Sequence, residues 1–197
     1  MMTDTRLRQQ LDFILEMDRL KHVIRQSYLL GPGRRENSAE HSWHTALMAI
    51  VLAEHADEGV DPGRAAKMLL LHDIVEIDAG DTYCYDEEGA VSKGERENRA
   101  AERIFGLLPD DQAKAFREIW EEFEARRTPD AKFAAALDRL MPVLHNFHTR
   151  GKSWREHGIS REQVLGRTGH VREISQSLWG LIESIVDDSV SKGYLKD

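Results

Sequence analysis

The feature that most constrains this chain is a helical spacing of apolar residues, sustained almost from one end to the other. Leu7, Leu11, Ile14, Leu15 and Leu20 share one side of a helix over 4–22, and Ile174, Leu178, Leu181, Ile182 and Ile185 repeat the pattern over 170–190. No segment shows the convincing apolar–polar alternation of a half-buried strand. The expectation is an all-α protein, a bundle of about six to eight helices.

The punctuation supports this. Gly31-Pro32-Gly33 breaks the chain. Asn37 or Ser38 can then cap a helix that carries Glu40 and His41 in its first turn and runs to about Gly59. Asp61 is a good N-cap with Pro62 at the first helical position. The helix that follows is expected to run through MLLLHDIVEI and stop near Ala79-Gly80. A polar loop is expected over 81–92, then helices over 93–107, 110–126 and 129–149. The Gly-rich stretch 150–168 reads as irregular, with a short helix from Ser160. With no repeat, low-complexity run or long linker, one domain is expected over 1–197.

Charge and cysteine content narrow the function. The formal net charge is -8, from 35 acidic and 27 basic residues, and a surface of that sign repels a nucleic-acid backbone. A small anionic substrate is still allowed, because a bound cation and one arginine can reverse the field inside a pocket. The single cysteine, Cys84, excludes an internal disulfide and fits a reducing compartment. No stretch approaches the ~20 apolar residues of a membrane span, so a cytoplasmic protein with neither membrane nor nucleic-acid polymer as partner is expected.

The unusual chemistry lies in Glu40-His41 and His72-Asp73. A histidine beside an aspartate, at the end of an otherwise apolar helix, is costly to bury unless something pairs with both. A divalent metal does so, and imidazole with carboxylate suits borderline transition metals. Adjacent side chains point about 100° apart on a helix, so both could ligate only near a helix end. The alternative is a capping His72 beside a solvated Asp73. Glu76 lies on the same face if the helix continues, and Asp81 follows Gly80, where the chain can bend back. Asp138 interrupts the apolar run KFAAALDRLMPVL; a buried carboxylate there needs a partner, which could be Arg139 or a neighbouring lysine. His44, His145 and His148 fall on faces similar to those of His41 and Asp138, and read as packing or supporting residues. Lys93 and Arg96 read as a solvated helix start, and Gly151-Lys152-Ser153 lacks the spacing and preceding strand of a phosphate loop.

The segments AEHSWHTALMAIVLAEHA, LLLHDIVEIDAGDT and AKFAAALDRLMPVLHN resemble the three signatures of the HD-domain phosphohydrolases. LKHVIRQ, KGERENRAAE and EIWEEFEARRTPDAKF resemble the branch that contains bacterial 5'-deoxynucleotidase and its eukaryotic relatives, over roughly residues 10–150. The resemblance implies one divalent ion per subunit (Mn, Co, Fe, Ni, Zn or Mg) held by His41, His72, Asp73 and Asp138. It implies that Arg25, otherwise readable as an exposed helix-end arginine, contacts a substrate phosphate. Glu76 would act in proton transfer with the attacking water, and Asp81 would position that water. The implied activity is hydrolysis of a nucleoside 5'-monophosphate, and the resemblance together with the amphipathic C-terminal helix (Ile174, Leu178, Leu181, Ile182, Ile185) points to a homodimer. Where that branch has a tryptophan after the arginine, this chain has Gln26, which leaves the sugar open. Two other readings stand beside this one: another nucleotide or phosphoester substrate, and a helical scaffold with a structural metal.

Overall fold

The computed structural model describes residues 5–31 and 33–197. Residue 4 of the expected first helix and Pro32 of the expected break lie outside the described residues. Seven helices of ten residues or more build the bundle: α1 (Thr5–Glu16), α2 (Ser38–Val51), α3 (Pro62–Leu71), α6 (Lys93–Phe105), α7 (Asp110–Ala125), α8 (Pro129–His148) and α11 (Gln176–Ser191). Shorter helices α4 (Glu76–Ala79), α5 (Glu87–Val91), α9 (Lys152–His157) and α10 (Arg161–Thr168) join them. The all-α expectation holds, while the 150–168 stretch is more ordered than expected.

Local chemistry starts these helices where it should. Asn37 caps α2 by accepting from the Glu40 amide, and Glu40 reaches back to the Asn37 amide as a reciprocal capping box. Asp61 caps α3 ahead of Pro62, Thr128 caps α8 ahead of Pro129, and Ser160 caps α10. Each such cap is worth about 1 kcal/mol.

Helix α8 is the axis of the fold. Ala131, Phe133, Ala134, Ala135, Ala136 and Leu137 are fully buried, and α2, α3, α7 and α11 all pack on it. A helix apolar all round is a core helix, and its alanines let the neighbours approach closely. Burying Phe133, Leu137 or Ile182 completely contributes about 1.5–3 kcal/mol each. Pro142, inside α8, removes the amide that would bond the carbonyl of Asp138.

Three local expectations are corrected. First, a short antiparallel hairpin of β1 (Ile24–Tyr28) and β2 (Arg35–Asn37) flanks the glycine break, with Ile24 opposite Asn37 and Tyr28 opposite Arg35. Its alternation is real but inverted: the inward residues are Arg25, Ser27 and Glu36, so an apolar pattern could not reveal it. Arg25 is therefore a buried strand residue, not an exposed helix end. Second, the helix expected through MLLLHDIVEI stops at Leu71, turns over His72–Val75 and resumes as α4. The first expected helix also tightens, to a 3-10 turn at Met17–His22. Its apolar residues Leu7, Leu11, Ile14 and Leu15 are exposed, whereas Phe13 and Leu20 are buried. In α11, Leu178, Ile182 and Ile185 are buried in the chain's own core.

Candidate metal centre and active site

The turn after α3 solves the geometric problem posed by adjacent ligands. At the end of α3 the His72 ring donates from Nδ1 to the Leu69 carbonyl at 2.8 Å, which leaves Nε2 as the lone-pair nitrogen. That Nε2 is buried and has no hydrogen-bond partner, yet it lies 3.0 Å from Asp73 Oδ1 and 3.6 Å from Asp138 Oδ1. From the first turn of α2, His41 points its Nε2 to within 3.0 Å of the same Asp138 oxygen. Ligand-type atoms of His41, His72 and Asp73 all lie within 4.8 Å of one another. The structure thus brings together His41, His72, Asp73 and Asp138 from three separate segments, all buried.

This donor set fits a divalent cation. Bonds of about 2.0–2.2 Å to nitrogen and oxygen put neighbouring donors about 3.0–3.5 Å apart, close to the separations seen here. Two imidazoles and two carboxylates are also the mixture that borderline ions accept. The unpartnered, buried His72 Nε2 is the atom that such an ion would satisfy.

Arg25 enters from β1. Its Nη1 donates to Asp73 Oδ2 at 2.6 Å and lies 3.7 Å from both Glu76 Oε2 and Asp81 Oδ1. Ser38 Oγ donates to Glu76 Oε2 at 2.6 Å. Asp81 sits past Gly80, whose φ of 75° lets the chain fold back toward the site. All three working residues named by the resemblance therefore adjoin the donor cluster. Asp138 meets Arg139 only loosely, at 3.8 Å.

Burial and charge divide the acids into two kinds. Burial favours the neutral form of Asp73, but His72 and Arg25 overcome it and hold the carboxylate below its ordinary range. Asp138 is driven well below its ordinary range, where Arg139, His41 and His72 outweigh burial. Glu76 goes the other way: burial, reinforced by Asp73, pushes it well above the usual carboxylate range against the opposing Arg25. Burial raises Asp81 too, with Arg25 opposing and Asp73 adding to the rise. At His72 burial is outweighed by Asp73 and Asp138, which bring the imidazole up to about 9 in the absence of a cation. Asp73 and Asp138 are thus pushed down, and Glu76 and Asp81 pushed up, opposite directions set by their surroundings.

Beside Arg25 a cavity of about 50 Å³ is lined by Gln26, Asp81, Tyr83, Arg139 and Asn146, among others. Arg96 secures the loop that covers it, donating to Thr82 Oγ1 at 2.9 Å and meeting Ser92. Arg96 is thus a loop anchor and not a solvated helix start, whereas Lys93 pairs with Glu97 at 3.3 Å. Glu36, which the sequence reading passed over, is almost wholly buried and faces both His41 and Arg25. The signal that marks it is its place in the hairpin, one residue before the Asn37 cap. His145 is buried, and with His44 and Glu36 it forms a second group of potential ligands.

A helical bundle that presents such a donor cluster beside a buried arginine has the form of a metal-dependent hydrolase. The HD-domain family profile matches residues 17–179, and the chain belongs to that family. A human protein named 5'-deoxynucleotidase HDDC2 is 32% identical over 138 residues, 70% of this chain and 66% of its own length. The chain thus spans just under two thirds of that relative. The zebrafish (Danio rerio) protein of the same name is 30% identical over 86% of this chain and 78% of its own length. A crystal structure from Magnetospirillum magnetotacticum MS-1, described as a predicted metal-dependent phosphohydrolase, is 52% identical. It covers 98% of this chain and 97% of its own, with a TM-score of 0.95. No helix among the described residues is long and apolar enough to cross a membrane.

Proposed function

We propose that this protein is a metal-dependent phosphohydrolase that converts nucleoside 5'-monophosphates to nucleoside and phosphate. The observation that carries the reading is the placement of two kinds of acid: Asp73 and Asp138 face two histidines and are held below the usual carboxylate range, while Glu76 and Asp81 stand 3.7 Å from Arg25 Nη1 and are pushed up by burial. A structural metal site needs the first pair and has no use for the second. The names of the human and zebrafish relatives support the substrate class.

In this reading His41, His72, Asp73 and Asp138 hold one divalent ion, which would supply Lewis-acid polarisation of the phosphoryl group and a lowered pKa for water. Arg25 grips the phosphate through a permanently charged, two-pronged guanidinium. Glu76, fixed by Ser38, exchanges a proton with the attacking water, and its raised pKa suits it to holding that proton. Asp81 orients the water. The remaining contribution is placement inside a shielded pocket. The cavity beside Arg25 has room for a phosphate-sized group, and a nucleoside attached to it would need the space that loop 81–92 covers. Gln26 lines that cavity with a buried, unpartnered Oε1, able to accept from a sugar hydroxyl, so ribonucleotides are substrates alongside deoxyribonucleotides.

We place the protein in the cytoplasm and read it as a homodimer. α11 spends Leu178, Ile182 and Ile185 on the chain's own core and leaves only Leu181 of its stripe exposed, so the pairing surface is instead the exposed apolar stripe Trp43, Leu47, Ile50 and Val51 on α2. The test of function is Glu76→Ala, with phosphate release and bound metal measured together. It should retain the metal and lose turnover; full activity would refute the assignment.

A further inference from the structure

The two histidines of the donor cluster are prepared for a cation in different ways. His72 has its Nδ1 proton committed to the Leu69 carbonyl. His41 has no carbonyl there. The polar atom facing its Nδ1 is Glu36 Oε2, 3.3 Å away, while its Nε2 faces Asp138. His41 is fully buried and Glu36 is 1% exposed, so the contact is shielded from bulk solvent. Neither Glu36 oxygen has a closer hydrogen-bond donor, and Arg25 Nε, itself unpartnered, stands 3.9 Å from the same Oε2.

We infer that Glu36 is a positioning residue for His41: its carboxylate holds the Nδ1–H tautomer and aims Nε2 at the cation. The inference rests on the proposed ligand role of His41. The fold makes the arrangement obligatory. Glu36 is the inward residue of β2, Arg25 the second residue of its partner β1, and Asn37, the next residue, caps the helix that carries His41. One hairpin therefore sets the carboxylate, the phosphate-binding arginine and the start of the ligand helix in fixed relation. A carboxylate behind a ligating imidazole orients it and raises its donor strength, and loss of such a partner typically costs about 10–100-fold in metal affinity.

Glu36 also approaches His145 Nδ1, at 3.8 Å, and with His44 the three make a second potential donor group. The space beyond those histidines is lined by Leu47, Met48, Val51, Met141 and Leu144. His148 also lines that space, but Glu36 Oε2 stands nearer His41 Nδ1, at 3.3 Å, than His145 Nδ1, at 3.8 Å, so Glu36 is assigned to His41 rather than to a second ion.

The experiment uses chelator-stripped protein titrated with Co²⁺ against a competing chelator, with the cobalt visible spectrum recorded at saturation. Glu36→Ala should weaken binding about 10–100-fold and shift the spectrum. Glu36→Gln, which keeps an acceptor but no charge, should fall between it and the parent, and the His41 ring ¹⁵N shifts should show the Nδ1–H tautomer in the parent. Should Glu36→Ala fail to fold, the isosteric Glu36→Gln still carries the test, since parental affinity in that variant overturns the inference. His41→Ala is the control. Loss of binding there with parental affinity in both Glu36 variants would overturn the positioning role alone. Retained binding in His41→Ala would overturn the ligand reading and the role of Glu36 with it. A drop from two bound ions to one in the Glu36 variants would assign the carboxylate to a second cation and overturn the inference.

Discussion

Replacing Arg25 with methionine tests the electrostatic design most directly. The guanidinium lies within 4.0 Å of carboxylate oxygens from Glu36, Asp73, Glu76, Asp81 and Asp138, with its side chain only 10% exposed. Methionine keeps the aliphatic stem but leaves Asp73 without the donor at 2.6 Å. Breaking a buried pair from one side costs about 3–5 kcal/mol, and in a chain this size each kcal/mol lowers Tm by about 2–4 °C. The chelated variant should therefore melt roughly 6–20 °C below the chelated parent. With Mn²⁺ present the carboxylates regain a positive partner, so the difference should shrink. Phosphate affinity follows the same logic: loss of a buried, hydrogen-bonded charge costs about 2 kcal/mol or more, which is at least about 30-fold in kcat/KM. Paired thermal melts in chelator and in Mn²⁺, with phosphate release from AMP, measure both effects. Equal melting differences in the two conditions, or parental turnover, would refute the reasoning.

Metal affinity should depend on pH in a defined direction. Without a cation His72 holds its proton up to about 9, and a ligating imidazole must give that proton up; apparent affinity should climb about tenfold per pH unit from about 6.5 to about 9, and a flat titration would contradict the site. The same raised pKa means His72 stabilises the metal-free fold below its ordinary value of 6.5, a contribution lost as pH rises through about 9, which urea midpoints in chelator will show. Gly151→Ala should destabilise by about 1–3 kcal/mol, because φ is 66° and the new Cβ would meet the Tyr194 carbonyl at 2.6 Å; an unchanged urea midpoint would count against this. Rates on AMP and dAMP should be comparable if Gln26 accepts a sugar hydroxyl, and a large preference for dAMP would rule that out.

Most of the helices were legible because burial in a bundle imposes a 3.6-residue period that the sequence displays openly. The caps at Asn37 and Asp61 were legible from local sequence alone. The hairpin was not, because its inward positions are Arg25, Ser27 and Glu36. A strand that faces a charged site inverts the usual pattern, so it looks like loop. The break at His72–Val75 was hidden by the apolar residues on either side, which continue a helical period through a turn. The same residues that disguise the turn bury it: Ile74 and Val75 are core. The exposed leucines of α1 mark the opposite failure, since periodicity identifies a face without saying what covers it. For the site, His72, Asp73 and Asp138 stood out as polar groups in apolar runs, whereas the roles of His41, Glu76 and Asp81 came with the family resemblance. Glu36 did not stand out, because its burial is a tertiary fact.

The place of Asp138 midway along the core helix has a consequence for how the protein matures. A nascent chain that has passed Val91 already carries Arg25, His41, His72, Asp73, Glu76 and Asp81, yet the proposed fourth ligand has not been synthesised. In the finished fold Asp138 lies on the helix against which α2, α3, α7 and α11 pack. With domains folding as units during synthesis, the proposed four-donor set would be complete only in a nearly finished protein, not in an early hairpin. Affinity for wrong metals, which free histidine and carboxylate groups show in a fixed order, would have little opportunity to act on the ribosome.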